Sequence, residues 1–378
     1  MIKRELLSKL KDQCFRGKII LLLGARQVGK TTLLKQLSKQ IATSTLWLNA
    51  DEADILQELN MADTSTRLLG LIGKQTKLLI IDEAQQIKNI GKKLKLLHDA
   101  NPDIQVIATG SSSFDLLNRM AEPLTGRKRI YHLFPISFQE LVDKTNLLEA
   151  KRMLEKRLIF GSYPEVINNP GNEKEVLLEI SQSYLYKDVL KLEGIRKSSH
   201  LEKLLQALAF QVGSEVKYSE IANSIGNINA LTVEKYLDIL EKAYIIFKLP
   251  ALSRNMRNEI KKGKKYYFYD NGIRNAIISN YAPLEMRLDK GALWENFLVS
   301  ERLKQNHYNS HTPNTYFWRT LDQAEIDYVE EFDGKLWAYQ MKWKETKTRF
   351  PESFMKAYPN HETHVINHDN FDAFIRNS

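Results

Sequence analysis

Residues 18–36 read K-I-I-L-L-L-G-A-R-Q-V-G-K-T-T-L-L-K-Q, and this stretch decides the fold of the chain. The apolar run Ile19–Leu23 is typical of a strand buried on both faces of a parallel sheet. The segment from Gly24 to Thr31 fits the pattern G-x-x-x-x-G-K-[ST], and the periodicity after it predicts a helix. A strand, a glycine-containing turn and a helix in this order predict an α/β fold with a phosphate site at the edge of its sheet.

The residue types of this P-loop motif suit phosphate chemistry. Gly24 and Gly29 let the backbone turn its N–H groups toward phosphate oxygens. Lys30 is expected to reach the β- and γ-phosphates, and the Thr31 hydroxyl to ligate Mg²⁺. A chance match in a turn is the alternative, but the flanking strand and helix favour the nucleotide site. The nucleotide-binding residues predicted from the motif are Gly24, Ala25, Arg26, Gln27, Val28, Gly29, Lys30, Thr31 and Thr32.

A second motif, K-L-L-I-I-D-E-A-Q at residues 77–85, has the form of a Walker B strand. Carboxylates at the end of a buried strand need a compensating partner, because an unpaired buried charge is costly. Mg²⁺ would be such a partner. We therefore expect Asp82 to hold the metal, directly or through water, and Glu83 to orient and polarise the attacking water.

Two later segments offer candidates for γ-phosphate recognition. The strand-like run I-Q-V-I-A-T-G-S-S-S at residues 104–113 places Thr109 and Ser111 where a polar side chain can sense this phosphate, and a plain Ser/Gly turn is the alternative. Arg127 follows in L-T-G-R-K-R. It is either an arginine finger acting between copies of an oligomer, an internal γ-phosphate sensor or an ordinary surface residue.

Length and composition limit the number of domains and the kinds of partner that the sequence allows. The 378 residues predict two or three domains, and an apolar fraction of 43% argues against disorder. The 55 Lys and Arg against 46 Asp and Glu give a formal charge of +9. This balance favours DNA as a partner, and a solvated basic surface explains it equally well.

The single cysteine and the lack of long apolar runs predict a cytoplasmic protein. Cys14 is the only cysteine, so no intramolecular disulfide can form, which suits a reducing environment. The charged N-terminus lacks the apolar core of a signal peptide, and no run approaches the ~20 apolar residues that span a bilayer. We expect a cytoplasmic protein without a membrane partner.

Taken together, the motifs G-A-R-Q-V-G-K-T-T-L, L-I-I-D-E-A-Q, A-T-G-S-S-S and L-T-G-R…L-F-P-I-S-F-Q-E-L resemble a family of prokaryotic AAA-type ATPases with a C-terminal domain of unknown function. G-S-Y-P-E at residues 161–165 is similar to the G-G-Y-P-E often found there. The resemblance implies Mg²⁺-dependent ATP hydrolysis, with ATP and Mg²⁺ as cofactors. The predicted parts are an AAA-type P-loop core at 1–145, a helical lid at 146–200, a winged helix at 201–284 and a nuclease-like α/β domain at 285–378.

The predicted winged helix leaves its partner open. Its third helix, at residues 231–241, lies in the recognition position, and a basic hairpin follows at 254–265. The hairpin is either a phosphate-binding wing or a solvated charge run. The third helix carries Glu234, Asp238 and Glu241, which suit a protein partner better than DNA.

The C-terminal part resembles the PD-(D/E)XK nuclease core, in which a helix acid and strand acids hold Mg²⁺ and a lysine assists the water. By that pattern Glu295, Asp327 and Gln340 would be the metal ligands and Lys342 the catalytic lysine. Gln340 departs from the pattern, which usually has Glu, and one less negative charge should weaken metal binding. The domain is thus either an active nuclease or a degenerate fold used for binding.

The sequence leaves three hypotheses for the function of the chain open. The chain could be a DNA-binding ATPase that cleaves DNA, an ATP-controlled switch with an inactive nuclease fold, or a regulatory ATPase with a protein partner. A metal site at His361, His364 and His368 is disfavoured, because a strand at 363–367 would distribute the three rings over both faces.

Overall fold

The structure is a computed structural model. It describes residues 2–110, 124–182, 198–253, 263–320, 323–344 and 348–376. The chain forms two compact units: Met1–Phe134 with Lys242–Tyr244, and Pro135–Glu241 with Ile245–Ser378. The predicted domain boundaries at 145, 200 and 284 remain predictions.

The first unit is an α/β layer structure around a parallel sheet, which confirms the α/β fold predicted from the P-loop stretch. Its helices are α1 Leu6–Gln13, α2 Lys30–Ile41, α3 Ala53–Met61, α4 Ser65–Ile72 and α5 Ile90–Ala100. Its strands are β1 Ile19–Leu23, β2 Thr45–Asn49, β3 Leu78–Asp82, β4 Gln105–Gly110 and β5 Lys128–His132.

The strand order in this sheet is β2-β3-β4-β1-β5, with every pairing parallel. All residues of β1, β3 and β4 are buried, as the apolar runs predicted for strands covered on both faces. Because the strands are parallel, their carboxyl ends share one edge of the sheet. The P-loop, Asp82 and Thr109 come together at that edge.

The second unit begins with short helices: α6 Phe138–Lys144, α7 Leu147–Arg152, α8 Leu154–Phe160, α9 Pro164–Asn168 and α10 Glu173–Ser181. The predicted helical periodicity is therefore present as far as residue 181. Helices α8 and α10 pack against a later helix of the same unit, α14 Asn271–Ile277. The role of these helices as a lid remains a prediction, and residues 183–197 lie outside the described part of the chain.

Three helices and a small antiparallel sheet follow. The helices are α11 Ser198–Phe210, α12 Tyr218–Ser224 and α13 Ala230–Lys242, and the strands are β6 Glu215–Val216, β7 Ile246–Pro250 and β8 Lys264–Phe268. The sheet order is β6-β8-β7, which places β8 in the centre. The strands predicted at 244–249 and 265–269 are thus shifted by one or two residues at their ends. Residues 254–262, most of the predicted basic hairpin, lie outside the described residues.

The C-terminal elements form a four-stranded sheet with helices. The helices are α15 Lys290–Tyr308, α16 Glu352–Ala357 and α17 Phe371–Ile375, and the strands are β9 Asn314–Arg319, β10 Glu325–Phe332, β11 Lys335–Met341 and β12 His361–Ile366. The order is β12-β11-β10-β9, with only the β11–β12 pairing parallel. Trp318, Ile326, Val329 and Phe354 belong to a core cluster that packs α16 on this sheet. Within the described ranges, the structure has no helix that combines the length and the apolar character needed to cross a bilayer.

Candidate nucleotide site and C-terminal carboxylate cluster

Close backbone packing explains the two glycines of the P-loop. A Cβ atom on Gly24 would lie 2.2 Å from the carbonyl oxygen of Leu133, so no larger residue fits without moving the backbone. Gly29 precedes α2 with φ of 95°, a left-handed conformation that glycine adopts without strain. These two positions hold the loop in its turn at the end of β1.

Lys30 points its ammonium group back into this turn. Its Nζ donates to the carbonyl oxygens of Gly24 at 2.9 Å and Ala25 at 2.8 Å. The residue is only 6% exposed. Burial lowers the pKa of Lys30 to about 8, against the opposing effect of the nearby carboxylates of Glu83 and Asp82. The ammonium is thus held where the loop would enclose a phosphate.

The hydroxyl of Thr31 meets the Walker B carboxylate. Thr31 Oγ1 donates to Asp82 Oδ2 at 2.8 Å. Thr109 Oγ1 donates to the other oxygen of Asp82 and accepts a hydrogen bond of 3.1 Å from the Glu83 backbone N–H. The structure therefore brings together Lys30, Thr31, Asp82 and Thr109, residues that sequence reasoning had selected from three separate segments of the chain.

A hydroxyl and a carboxylate in contact form a donor set of the kind that P-loop enzymes use for Mg²⁺, so the residues fit that ion. Glu83 stands next to the pair in a left-handed conformation, with φ of 52°. Gln85 Nε2 donates to Glu83 Oε2. The Glu83 carboxylate thus lies in the residue that directly follows Asp82, and its hydrogen bond with Gln85 restrains it.

Arg4 is a residue of this region that sequence reasoning missed. It is 5% exposed and donates to the carbonyl oxygens of Val28 and Phe134, both at 2.6 Å. The Arg4 guanidinium thus stabilises the P-loop, although Arg4 is not part of the P-loop motif in the sequence. Its signal in the sequence is weak, because a single arginine near the N-terminus does not reveal a contact with residue 134.

Arg127 lies at the amino ends of the parallel strands, whereas the P-loop lies at their carboxyl ends. The parallel register pairs Ile19 with Lys128 and Leu23 with His132, so Arg127 is next to the beginning of β1, whereas the P-loop follows its end. Its Nε donates to Asp99 Oδ1 at 2.8 Å. This placement contradicts the internal γ-phosphate sensor. A finger acting on a neighbouring copy remains a prediction, and Ser111 lies outside the described residues.

In the second unit, two of the predicted nuclease-like residues, Glu295 and Asp327, lie near a carboxylate that was not predicted, Glu325; we call these three residues the carboxylate cluster. Glu295 lies on α15, and Glu325 and Asp327 lie on β10. Lys342 Nζ is 3.8 Å from Asp327 Oδ2. Gln340 Nε2 donates to the backbone carbonyl of Glu325 at 2.5 Å.

Sequence reasoning missed the contribution of β8 to this cluster. Lys265 Nζ lies 3.2 Å from Glu295 Oε1 and 2.5 Å from Glu325 Oε1. Tyr267 donates its hydroxyl to Glu295 Oε1 at 2.7 Å. The available signal was a lysine inside an aromatic strand, K-K-Y-Y-F, because a buried lysine requires an anionic partner.

The electrostatics of the cluster are those of buried, interacting charges. Burial and the carboxylate of Glu295 raise the pKa of Asp327 to about 6, against the opposing effect of Lys342. Burial alone would lower the pKa of Lys265, but the carboxylates of Glu295 and Glu325 raise it above its ordinary value. The lysine therefore stays protonated at neutral pH.

The three histidines have ordinary local contacts. His361 Nδ1 is 2.7 Å from the Tyr358 carbonyl oxygen, and the His364 ring stacks on Tyr339. His368 packs against Trp343. Among the residues that the structure describes, no group of three or more His, Cys, Asp or Glu side chains is arranged to hold a metal ion.

Family models match three successive parts of the chain. Residues 16–142 match an AAA domain. Residues 151–283 match a domain of unknown function, DUF8612, and residues 290–377 match a second, DUF4143. The match to the AAA domain spans the P-loop and the whole parallel sheet of the first unit, whereas the other two matches are to domains without an assigned role.

Two relatives without an assigned function align with most of the chain. The chain is 26% identical over 347 residues to an uncharacterized protein of Mycobacterium tuberculosis, covering 90% of this chain and 74% of the relative. It is 28% identical over 356 residues to an uncharacterized protein of Haemophilus influenzae, covering 87% and 84%. The Walker-type ATPase of Pyrococcus abyssi aligns with a TM-score of 0.47 and 16% identity, over 74% of this chain and 96% of that one. A structural likeness of that size carries no argument about function.

Proposed function

We propose that this protein is a Mg²⁺-dependent ATP hydrolase. The observation that carries the proposal is the 2.8 Å hydrogen bond from Thr31 Oγ1 to Asp82 Oδ2, formed beside the buried ammonium of Lys30. A hydroxyl, a carboxylate and a lysine meeting at the carboxyl edge of a parallel sheet are the groups that phosphoryl transfer to water requires. The absence of a guanine-reading N-K-x-D element from the sequence favours ATP over GTP.

Each residue then has a defined task. The backbone N–H groups of the P-loop bind phosphate oxygens, and Lys30 exchanges its carbonyl acceptors for phosphate. Thr31 and Asp82 would hold Mg²⁺, which supplies neutralisation of phosphate charge when bound. Thr109 fixes the orientation of the Asp82 carboxylate. Glu83 orients the attacking water and takes up its proton.

The test is Mg²⁺-dependent phosphate release by single variants. We expect Lys30→Ala to lose hydrolysis by at least ~100-fold, because the phosphates lose their charged partner. Glu83→Gln should keep ATP binding but lose roughly 10²- to 10⁴-fold in turnover, because an amide cannot accept the proton.

The matched control is Lys39→Ala, which removes an exposed lysine from the last turn of α2 and should leave the rate unchanged. Wild-type turnover by Lys30→Ala, or hydrolysis that continues after Mg²⁺ is chelated, would contradict the proposal.

We further propose that ATP turnover acts on DNA through the second unit. The succession of α11, β6, α12, α13 and the β7–β8 pair supports a winged helix, and the mixed sheet with α15 supports a nuclease-like fold. If this fold is active, Mg²⁺-dependent nicking of DNA should occur and should be lost in Lys342→Ala.

A second candidate function is an ATP-controlled regulatory or protein-interaction switch whose nuclease fold is inactive. The observation that favours it is the engagement of Gln340, whose amide nitrogen donates to the Glu325 carbonyl within the strand pair. The third helix adds support, because its Glu234 lies 3.7 Å from Lys264 Nζ and so offsets a positive charge of the adjacent strand.

A further inference from the structure

Lys265 is a cation fixed inside the carboxylate cluster. It lies on the central strand β8, and its side chain is only 2% exposed. Its ammonium group contacts one oxygen of Glu295 and one of Glu325, and it lies 5.4 Å from the centroid of the Phe317 ring. A charge removed from water to this degree is tolerated only where charged and hydrogen-bonding partners surround it.

One carboxylate oxygen of Glu295 and one of Asp327 are already engaged by groups of the protein. Tyr267 and Lys265 both contact Glu295 Oε1. The Met341 backbone N–H donates to Asp327 Oδ2 at 2.7 Å. A Mg²⁺ site in proteins instead leaves carboxylate oxygens directed at the ion and its water ligands.

Positive charges of the protein already offset much of the negative charge of the cluster. Lys265, Lys342 and Arg319 each lie within 4 Å of one of its carboxylates, and Arg319 also lies 3.6 Å from a fourth carboxylate, Glu215. A divalent ion placed here would be repelled by these three cations, which opposes its binding.

The backbone around Lys265 is tied to the helix that carries Glu295. Asn296 Oδ1 accepts from the Phe268 N–H at 2.7 Å, and Asn296 Nδ2 donates to the Phe268 carbonyl at 3.1 Å. Both polar groups of a fully buried amide thus hold β8 against α15. These bonds fix the backbone of β8 beside α15, so the Lys265 side chain is anchored next to Glu295.

We propose that the Lys265 ammonium takes the place of the divalent ion in this nuclease-like cluster, so that the native domain binds no metal between Glu295 and Asp327. The residues present do not fit the Mg²⁺ that the nuclease resemblance implies. The cluster is instead a set of ion pairs that connects β8 to α15 and β10. This proposal goes beyond the ATPase and does not depend on it.

The proposal predicts that removal of one lysine creates a metal site. Mn²⁺ binding to the nucleotide-free full chain is measured by electron paramagnetic resonance for wild type, Asp327→Asn, Lys265→Met and the Lys265→Met/Asp327→Asn double variant. We expect wild type and Asp327→Asn to bind equal amounts of Mn²⁺. Lys265→Met should bind one ion more, and the double variant should lose that ion again.

The control is Lys264→Met, which removes the neighbouring lysine of the same strand, whose ammonium contacts Tyr218 and Glu234 instead of the cluster. It should bind Mn²⁺ as wild type does. Two results would overturn the proposal: a wild-type protein that binds one ion more than Asp327→Asn, or a folded Lys265→Met protein that gains none. If circular dichroism shows that Lys265→Met does not fold, Lys265→Gln replaces it, and the comparison of wild type with Asp327→Asn still decides.

Discussion

At the residue scale, Asp289 shows how strongly this chain depends on single buried charges. It lies between two arginine side chains that are almost fully buried, Arg274 and Arg287. Arg287 donates to both of its carboxylate oxygens, at 2.9 and 2.8 Å. Burial alone would raise the pKa of Asp289, but the hydrogen bonds from Arg287 and Arg274 lower it to about 2.

We predict that Asp289→Ala lowers the free energy of unfolding by roughly 3–5 kcal/mol, because two buried guanidinium groups would lose their shared counter-ion. Urea unfolding of the full chain measures the change. Asp369→Ala, at an exposed carboxylate, should stay within about 0.5 kcal/mol of wild type. An Asp289→Ala protein as stable as this control would contradict the prediction.

The same contact sets a pH dependence with a defined sign. The folded-state pKa of Asp289 is below its unfolded value of about 3.9, so its stabilisation is complete above that pH and is lost as the pH falls toward 2. Wild type should therefore lose more stability than Asp289→Ala between about pH 4 and pH 2. Parallel losses in the two proteins would show that Asp289 is not the group responsible.

At the element scale, α1 ends at the only cysteine of the chain, and this cysteine is buried. Leu6, Leu7 and Leu10 bury one face of this helix, and Cys14 follows at its end, 8% exposed. Burial raises the pKa of Cys14 to about 11. At pH 8 the reactive thiolate is therefore roughly 100-fold rarer than for an ordinary cysteine.

We predict that a chromogenic disulfide reagent labels Cys14 of the native protein at pH 8 at least ~100-fold more slowly than the urea-unfolded protein, since the thiol is both protonated and covered. Absorbance measures the rate. Leu10→Ala, which removes a buried side chain one helical turn before Cys14, should accelerate labelling, whereas Lys11→Ala at an exposed position should not. Equal rates for native and unfolded protein would show that the Cys14 thiol is not protected in the native protein.

The elements differ in how far the sequence predicts them. Strands β1 and β3 could be predicted because a strand buried on both faces has a continuous apolar sequence. The P-loop motif marks the end of β1, and the Walker B carboxylates mark the end of β3. The position of Arg127 could not, since it depends on which strand β5 pairs with. The partners of Lys265 are likewise hidden, because its contacts join residues 265, 295 and 325, and local pattern carries no information about such distant pairs.

At the scale of the whole molecule, the predicted DNA association depends on net charge. The chain carries 55 Lys and Arg against 46 Asp and Glu. Neutralisation of even two phosphates predicts roughly a tenfold loss of affinity between about 50 and 200 mM salt. A basic protein that only has a solvated surface would bind too weakly at either salt concentration for such a slope to be measured.

We predict that duplex, single-stranded or branched DNA binds with this salt dependence and raises the rate of ATP hydrolysis. Fluorescence anisotropy gives the affinity, phosphate release gives the rate, and gels of the same reactions show whether DNA is cut. Lys30→Ala should keep the DNA affinity while losing hydrolysis, which separates binding from turnover. A rate of ATP hydrolysis that no DNA changes, together with no DNA binding at low salt, would contradict DNA association. This result would favour the protein-partner switch, because the acidic residues of the third helix suit a protein partner better than a polyanion.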